Sequence, residues 1–106
     1  MSAKDTFHHP DFGHNCAQAI AYQFKNLYDD EQIVEKLAAF GGGRAPQGLC
    51  GALYAAQLAC PAHKTEVEEA FYKAAGASTC REIKQMAHTP CLRCLEIAEM
   101  IVEKYK

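Results

Sequence analysis

Long apolar runs are absent from this chain. No stretch approaches the ~20 residues that a membrane-spanning helix requires, so no membrane insertion is expected. Extended blocks of like charge are missing too, and the formal net charge is only −2. Neither a nucleic acid nor an anionic membrane would find an electrostatic footprint here. The opening residues MSAKDTFHHP lack the basic and apolar regions of a secretory signal, which makes the cytoplasm the expected location. No internal repeat, low-complexity tract or linker divides the sequence. Residues 1–106 therefore read as a single domain, with 1–12 as a mobile N-terminal segment. HExxH, the spacing of a zinc hydrolase, does not occur.

What remains is a short chain rich in one reactive residue. Its 106 residues suffice for one modest core, and 49% of them are hydrophobic, so the chain should fold. Six cysteines, Cys16, Cys50, Cys60, Cys80, Cys91 and Cys94, are an excess at this length. In an oxidising compartment that number suggests disulfides. In a reducing one it points to metal binding or thiol chemistry.

Apolar periodicity is helical almost throughout, and no segment alternates as a strand does. The expected fold class is all-α, a small bundle of about five or six helices. After Asn15, the residues Cys16, Ala19, Ile20, Phe24 and Leu27 mark one helix face. Asp29 or Asp30 can cap a second helix facing inward through Ile33, Leu37 and Phe40, and Gly41 to Gly43 stop it. A loop, RAPQG, leads to a third helix carrying Leu49, Cys50, Leu53, Tyr54 and Ala56, which ends at Cys60-Pro61. Thr65 is the expected cap of the fourth, with Val67, Ala70, Phe71 and Ala74 inward and Gly76 closing it. Thr79 and Glu82 form a capping-box pattern for the fifth. Thr89 and Pro90 suit the start of the last, whose inner stripe runs Cys91, Cys94, Leu95, Ala98, Ile101, Val102 and Tyr105.

On this map the cysteines share a placement. Cys16, Cys50, Cys80 and Cys91 each fall in the first turn of an expected helix, where backbone N–H groups lack helical acceptors and the dipole is positive. Both effects favour a thiolate, so lowered thiol pKa values are expected. The same positions lie on or beside the inward stripes, so the sulfurs can meet. Cys91 and Cys94, at i and i+3, share a helix face and are near enough to bind one metal or be oxidised together. That spacing serves zinc, iron–sulfur and dithiol sites alike. A thioredoxin fold is not indicated, because no βαβ pattern surrounds the motif.

Plainer readings apply to other residues. Cys60, at a helix end before proline, reads as a small buried hydrophobe. GGGRAPQGLC spaces Gly43 and Gly48 like a phosphate loop, but Leu49-Cys50 stands where Lys and Ser or Thr belong, and no strand precedes it. The glycines instead stop a helix and permit close backbone packing. His8 and His9 belong to the terminal segment, His63 to a turn, and His88 to a helix end. His14 can reach a metal shared with Cys16. Ser78 and Thr79 read as caps, and Arg44, Arg81 and Arg93 as solvated surface groups that can also support thiolates.

NCAQAI (Asn15 to Ile20), FGGG (Phe40 to Gly43), CGAL (Cys50 to Leu53), STCREI (Ser78 to Ile83) and CLRC (Cys91 to Cys94) follow one another as in the redox-active C_GCAxxG_C_C family. The chain resembles that family from Asn15 onward. The resemblance implies a small helical protein whose redox-active cysteines are Cys16, Cys50, Cys80, Cys91 and Cys94. One departure stands out: Ala55 occupies a slot where the family's motif usually has glycine, and its methyl should narrow a close helix approach near Cys50.

Three functions follow as expectations. The first is an electron carrier or oxidoreductase in which Cys50, Cys80, Cys91 and Cys94 hold an iron–sulfur cluster, with Cys16 able to replace one. The second is a dithiol/disulfide protein that uses Cys91 and Cys94 as the catalytic pair, with Cys50 or Cys80 as partner and Cys91 as the attacking sulfur. The third is a non-redox zinc module that binds a protein. A redox partner protein, of unknown identity, is implied by the first two.

Overall fold

Asn15 starts the first helix with both halves of a capping box. Its side-chain oxygen accepts from the Gln18 backbone N–H at 2.8 Å, and the Gln18 side chain accepts from the Asn15 N–H at 3.0 Å. Six α-helices follow from such local choices among the described residues of this computed structural model: α1 (Cys16–Gln23), α2 (Ile33–Lys36), α3 (Gly51–Ala59), α4 (Lys64–Ala75), α5 (Cys80–Glu82) and α6 (Cys91–Tyr105). Short 3₁₀ turns at Lys25–Leu27, Leu37–Phe40 and Pro61–His63 join them. The structure describes residues 7, 13–40, 48–83, 85 and 91–106, without the side chains of Cys80 and Cys91. Among the described residues there is no strand, only isolated backbone bridges between Phe7 and His14 and between Leu49 and Thr79. The domain is all-α.

α3 is the central element. Its stretch GALYAAQLA is apolar on nearly every side, which suits a helix surrounded by others. Gly51, Ala52, Leu53, Ala55, Ala56 and Ala59 are buried, and α1, α4 and α6 pack around them. Small residues let those neighbours come close. α4 is amphipathic instead, burying Val67, Phe71 and Ala75 at four-residue spacing against α3 and α6. Gly76 ends it in the left-handed region, φ 89°, with its N–H donating to the Tyr72 carbonyl at 2.8 Å. α6 contributes Cys94, Leu95, Ile97, Ala98, Ile101 and Val102 to the core. Burying side chains such as Phe71, Ile20 and Leu95 completely stabilises the fold by about 1.5–3 kcal/mol each.

Several expectations shift in detail. Leu27 lies on a 3₁₀ turn beyond the end of α1 and is 38% exposed, because the change of pitch rotates it off the inner face. The second helix is a single α turn that tightens into 3₁₀. Neither Asp29 nor Asp30 caps it: the N-cap residue is Gln32, without a side-chain cap bond, and Asp30 accepts from the Gln32 N–H at 2.9 Å. Thr65 does not cap α4: the Pro61–His63 turn runs directly into Lys64, which leaves Thr65 inside the helix. Ala75, not Ala74, faces inward. Thr79 does cap α5, its hydroxyl accepting from the Glu82 N–H at 3.2 Å and donating to the Glu82 carboxylate at 2.8 Å. Phe7, inside the segment expected to be mobile, packs half-buried against the core. The rest of 1–12, the Gly41 to Gly43 stop, most of the RAPQG loop, His88 and the Thr89-Pro90 start lie outside the described residues.

No helix among the described residues is long and apolar enough to cross a membrane.

Candidate functional site: a row of thiols at converging helix starts

Cys16 is the first helical residue of α1, Cys50 is the N-cap residue of α3, and Cys94 lies one turn into α6. Helix packing brings these three sulfurs into a row. The Cys16 thiol is within hydrogen-bond reach of Cys50, and Cys50 in turn reaches Cys94. A fourth helix start lies alongside at the backbone level. The Cys50 N–H donates to the Ser78 carbonyl at 2.9 Å, and Leu49 bridges Thr79, which is the residue before Cys80. The side chains of Cys80 and Cys91 lie outside the described residues. The beginnings of α1, α3 and α5 and the first turns of α6 thus share one end of the bundle.

Asn15 fixes where Cys16 sits. Beyond its capping role, its amide nitrogen donates to the Leu37 and Ala38 carbonyls at 3.2 and 3.0 Å. Gln18 adds a bond from its own amide nitrogen to the Val34 carbonyl at 3.0 Å. The start of α1 is thereby tied to the α2 region. These three bonds also satisfy carbonyls at a helix end that would otherwise need water.

Gly51 makes the approach of α1 to α3 possible. A Cβ at that position would lie 2.7 Å from Cys16 Sγ, 3.0 Å from the Phe40 carbonyl oxygen and 3.3 Å from the Ala17 Cβ. The sulfur of Cys16 occupies the space that a side chain at Gly51 would need. The close contact expected at Ala55 is therefore found four residues earlier. Ala55 itself is fully buried, and its carbonyl accepts from the Tyr28 hydroxyl at 2.7 Å.

Thiol acidity runs opposite to the expectation from helix starts. The Cys16 pKa is raised far above its usual range, first by its hydrogen bond to Cys50, then by burial and by repulsion from Cys50 once that is charged. The N–H groups of Ala52 and Ala17 pull the other way and are outweighed. For Cys50 the largest influence is the hydrogen bond with Cys16, which lowers its pKa. The bond with Cys94, burial, and repulsion from Cys94 together prevail and push it up to about 12. The Leu53 N–H favours the Cys50 thiolate, without closing a side-chain cap bond. The physical reason is simple: a buried row of thiols tolerates little negative charge, and a few amide dipoles do not offset a like charge at contact distance. Cys16 and Cys50 are neutral thiols at pH 7.

Cys60 is buried at the end of α3, away from the row and beside Tyr28, and burial raises its pKa. That matches its reading as a small hydrophobe. His14 is buried with its ring 5.3 Å from that of Tyr22, and burial lowers its pKa, so it is neutral at pH 7. His63 pairs with Glu66 at 2.8 Å on the surface, and Arg93 with Glu96 at 3.4 Å.

No family model, characterised protein or solved structure matches the chain. Among the described residues, no three or more His, Cys, Asp and Glu side chains are gathered so as to hold a metal ion. Of the four expected cluster ligands, Cys50 and Cys94 are described, and they are neighbours.

What this arrangement can do follows from its chemistry. Adjacent thiols can give up two electrons and two protons to form a disulfide. A soft cation would have to displace the protons of these thiols to bind them. Sequence reasoning missed Gly51 and the second role of Asn15. The available signal for the first was a glycine directly after a cysteine at the start of an alanine-rich helix.

Proposed function

We propose that this chain is a small redox-active cysteine protein, related to the C_GCAxxG_C_C proteins that it resembles, and that it works by dithiol–disulfide chemistry around Cys50. The observation that carries this reading is the continuous row Cys16, Cys50, Cys94, drawn from three helices and held in a bundle whose packing fixes the neighbours. Cys94 belongs to the CxxC pair, and Cys50 is its partner across the helix interface. Raised thiol pKa values keep the reduced row protonated at neutral pH, which slows its exchange with disulfides. The partner would be a redox protein or a small disulfide.

Thiol counting on the folded protein, before and after a disulfide oxidant and again after reductant, tests this. Reversible loss of two thiols with an internal bond involving Cys50 or Cys94 is expected. An unchanged count would reject the reading.

A second reading is favoured by the sulfurs' placement at amide-rich helix starts. Cys50, Cys80, Cys91 and Cys94 would hold an iron–sulfur cluster, with Cys16 as a possible substitute. Bound there, the cluster would supply one-electron transfer. The chain's own part would be to hold sulfur near the Leu53 amide, which favours negative charge on Cys50. An anaerobic preparation that is brown and contains iron would favour this reading over the dithiol one. A colourless protein with one zinc, and with unfolding on chelation, would point to a structural metal instead.

A further inference from the structure

The three sulfurs of the row differ in access. Cys16 is half-buried, whereas Cys50 and Cys94 are only 6% and 3% exposed. Cys50 also lies between the other two, in contact with each. A sulfur carries one disulfide bond at a time, so the bonds Cys16–Cys50 and Cys50–Cys94 exclude each other. Cys50 can serve both because its backbone, φ −58° and ψ 132°, is outside the helical region, which frees its side chain from the rotamer limits of a helix interior. Side-chain rotation can then close either contact to the ~2 Å of an S–S bond.

Resting on the dithiol reading above, we infer that Cys16 is the entry thiol for an external disulfide and that Cys50 is a switch sulfur handing the bond inward to Cys94. In the first step the Cys16 sulfur, having lost its proton, attacks one sulfur of the external disulfide. That S–S bond breaks, and the departing half takes up a proton as a thiol. Cys50 then gives up its proton and attacks the Cys16 sulfur, expelling the second half, also as a thiol. In the third step Cys94 attacks the Cys50 sulfur, and Cys16 is regenerated as a thiol. Overall, Cys50 and Cys94 lose two electrons and two protons, and one external disulfide becomes two thiols. In reverse, two external thiols deliver an electron pair through Cys16 to the core, reducing the internal bond and leaving as one disulfide.

The structure also explains why the entry sulfur stays aligned. Asn15 holds the start of α1 through bonds to Leu37 and Ala38, and Gly51 leaves room for Cys16 Sγ beside Cys50. Both act on the reaction through position alone.

The test uses the full chain, reduced and then exposed to glutathione disulfide, with a cystine-bridged peptide in a parallel arm to separate small from peptide substrates. Bonds are mapped by proteolysis and mass spectrometry. Wild type is expected to accumulate Cys50–Cys94 with Cys16 reduced. Cys94→Ser should stop at Cys16–Cys50, and Cys50→Ser should stop with glutathione on Cys16. Cys16→Ser should lower the rate of internal oxidation about tenfold or more, since the remaining sulfurs of the row are less accessible. Brief alkylation of unmodified protein supplies a measurement that no variant can compromise: Cys16 is labelled before Cys50, Cys60 and Cys94. The relay is overturned if Cys50 or Cys94 is labelled first, if Cys16→Ser oxidises at the wild-type rate, or if the adduct in Cys50→Ser sits on another cysteine. Those results leave the dithiol reading standing if an internal bond still forms. If no internal bond forms in wild type, both fall.

Discussion

Replacing Gly51 with alanine adds one methyl group where α1 and the Leu37–Phe40 turn come close to α3. The new Cβ would stand 2.7 Å from Cys16 Sγ and 3.0 Å from the Phe40 carbonyl oxygen, against an ordinary contact of about 3.5–4 Å. The sulfur is the end of a short side chain and can rotate, but that movement takes it out of the row. The carbonyl is backbone and can yield only if the Leu37–Phe40 turn shifts, which strains the bonds from Asn15 to Leu37 and Ala38. Overpacking of this kind costs about 1–3 kcal/mol. Alanine regains up to ~1 kcal/mol of helix propensity, less at a first helical position than inside the helix. The net expectation is destabilisation of about 1–2 kcal/mol, seen as a Tm lower by roughly 5–15 °C in a domain of this size. Circular dichroism melts of the reduced protein measure it, and a urea titration gives the free energy directly. Oxidation by glutathione disulfide should also slow, because Cys16 is displaced from Cys50. A Gly51→Ala protein as stable as wild type, with unchanged oxidation, would refute the argument that Cys16 fills the space above that glycine.

Other outcomes follow from the same contacts. Asn15→Ala removes a cap and two bonds to the α2 region, and urea unfolding should show a loss of about 2–3 kcal/mol. Tyr28→Phe leaves the Ala55 carbonyl without its 2.7 Å donor in a buried setting, a loss of about 1–2 kcal/mol by the same measurement. Raised thiol pKa values predict alkaline lability. Above the unfolded thiol pKa, ~8.5, the native state retains protons that the unfolded state has lost, so stability falls with rising pH up to about 12, the value for Cys50. The contribution is whole below pH ~8. Denaturant midpoints between pH 8 and 10 should fall, and Cys50→Ser should flatten the slope.

Much of the helical framework was legible along the chain. Thr79 three residues before Glu82 and Gly76 after Ala75 are local signals, and each cap formed as expected, while Asn15 proved to cap the apolar-periodic run that follows it. The misplacements, Thr65 and Leu27, arose where a 3₁₀ turn adjoins an α-helix, since a change of pitch moves the boundary and the facing side together. Ile97 was missed because the core wraps further round α6 than a narrow stripe suggests.

The candidate site divides in the same way. Cysteines at helix beginnings, and the exclusion of a membrane span and of a zinc hydrolase motif, could be read from residue order alone. Which sulfurs touch could not. Periodicity fixes the face that each helix buries, whereas the meeting of Cys16, Cys50 and Cys94 depends on how three helices are rotated and how closely they approach. The sign of the thiol pKa shifts was decided there too. An isolated helix start favours thiolate, but here hydrogen bonds between neighbouring sulfurs, burial and then repulsion between them together prevail and keep the thiols protonated. Residue order supplied the sulfurs and their helix ends; packing around Gly51 made them neighbours.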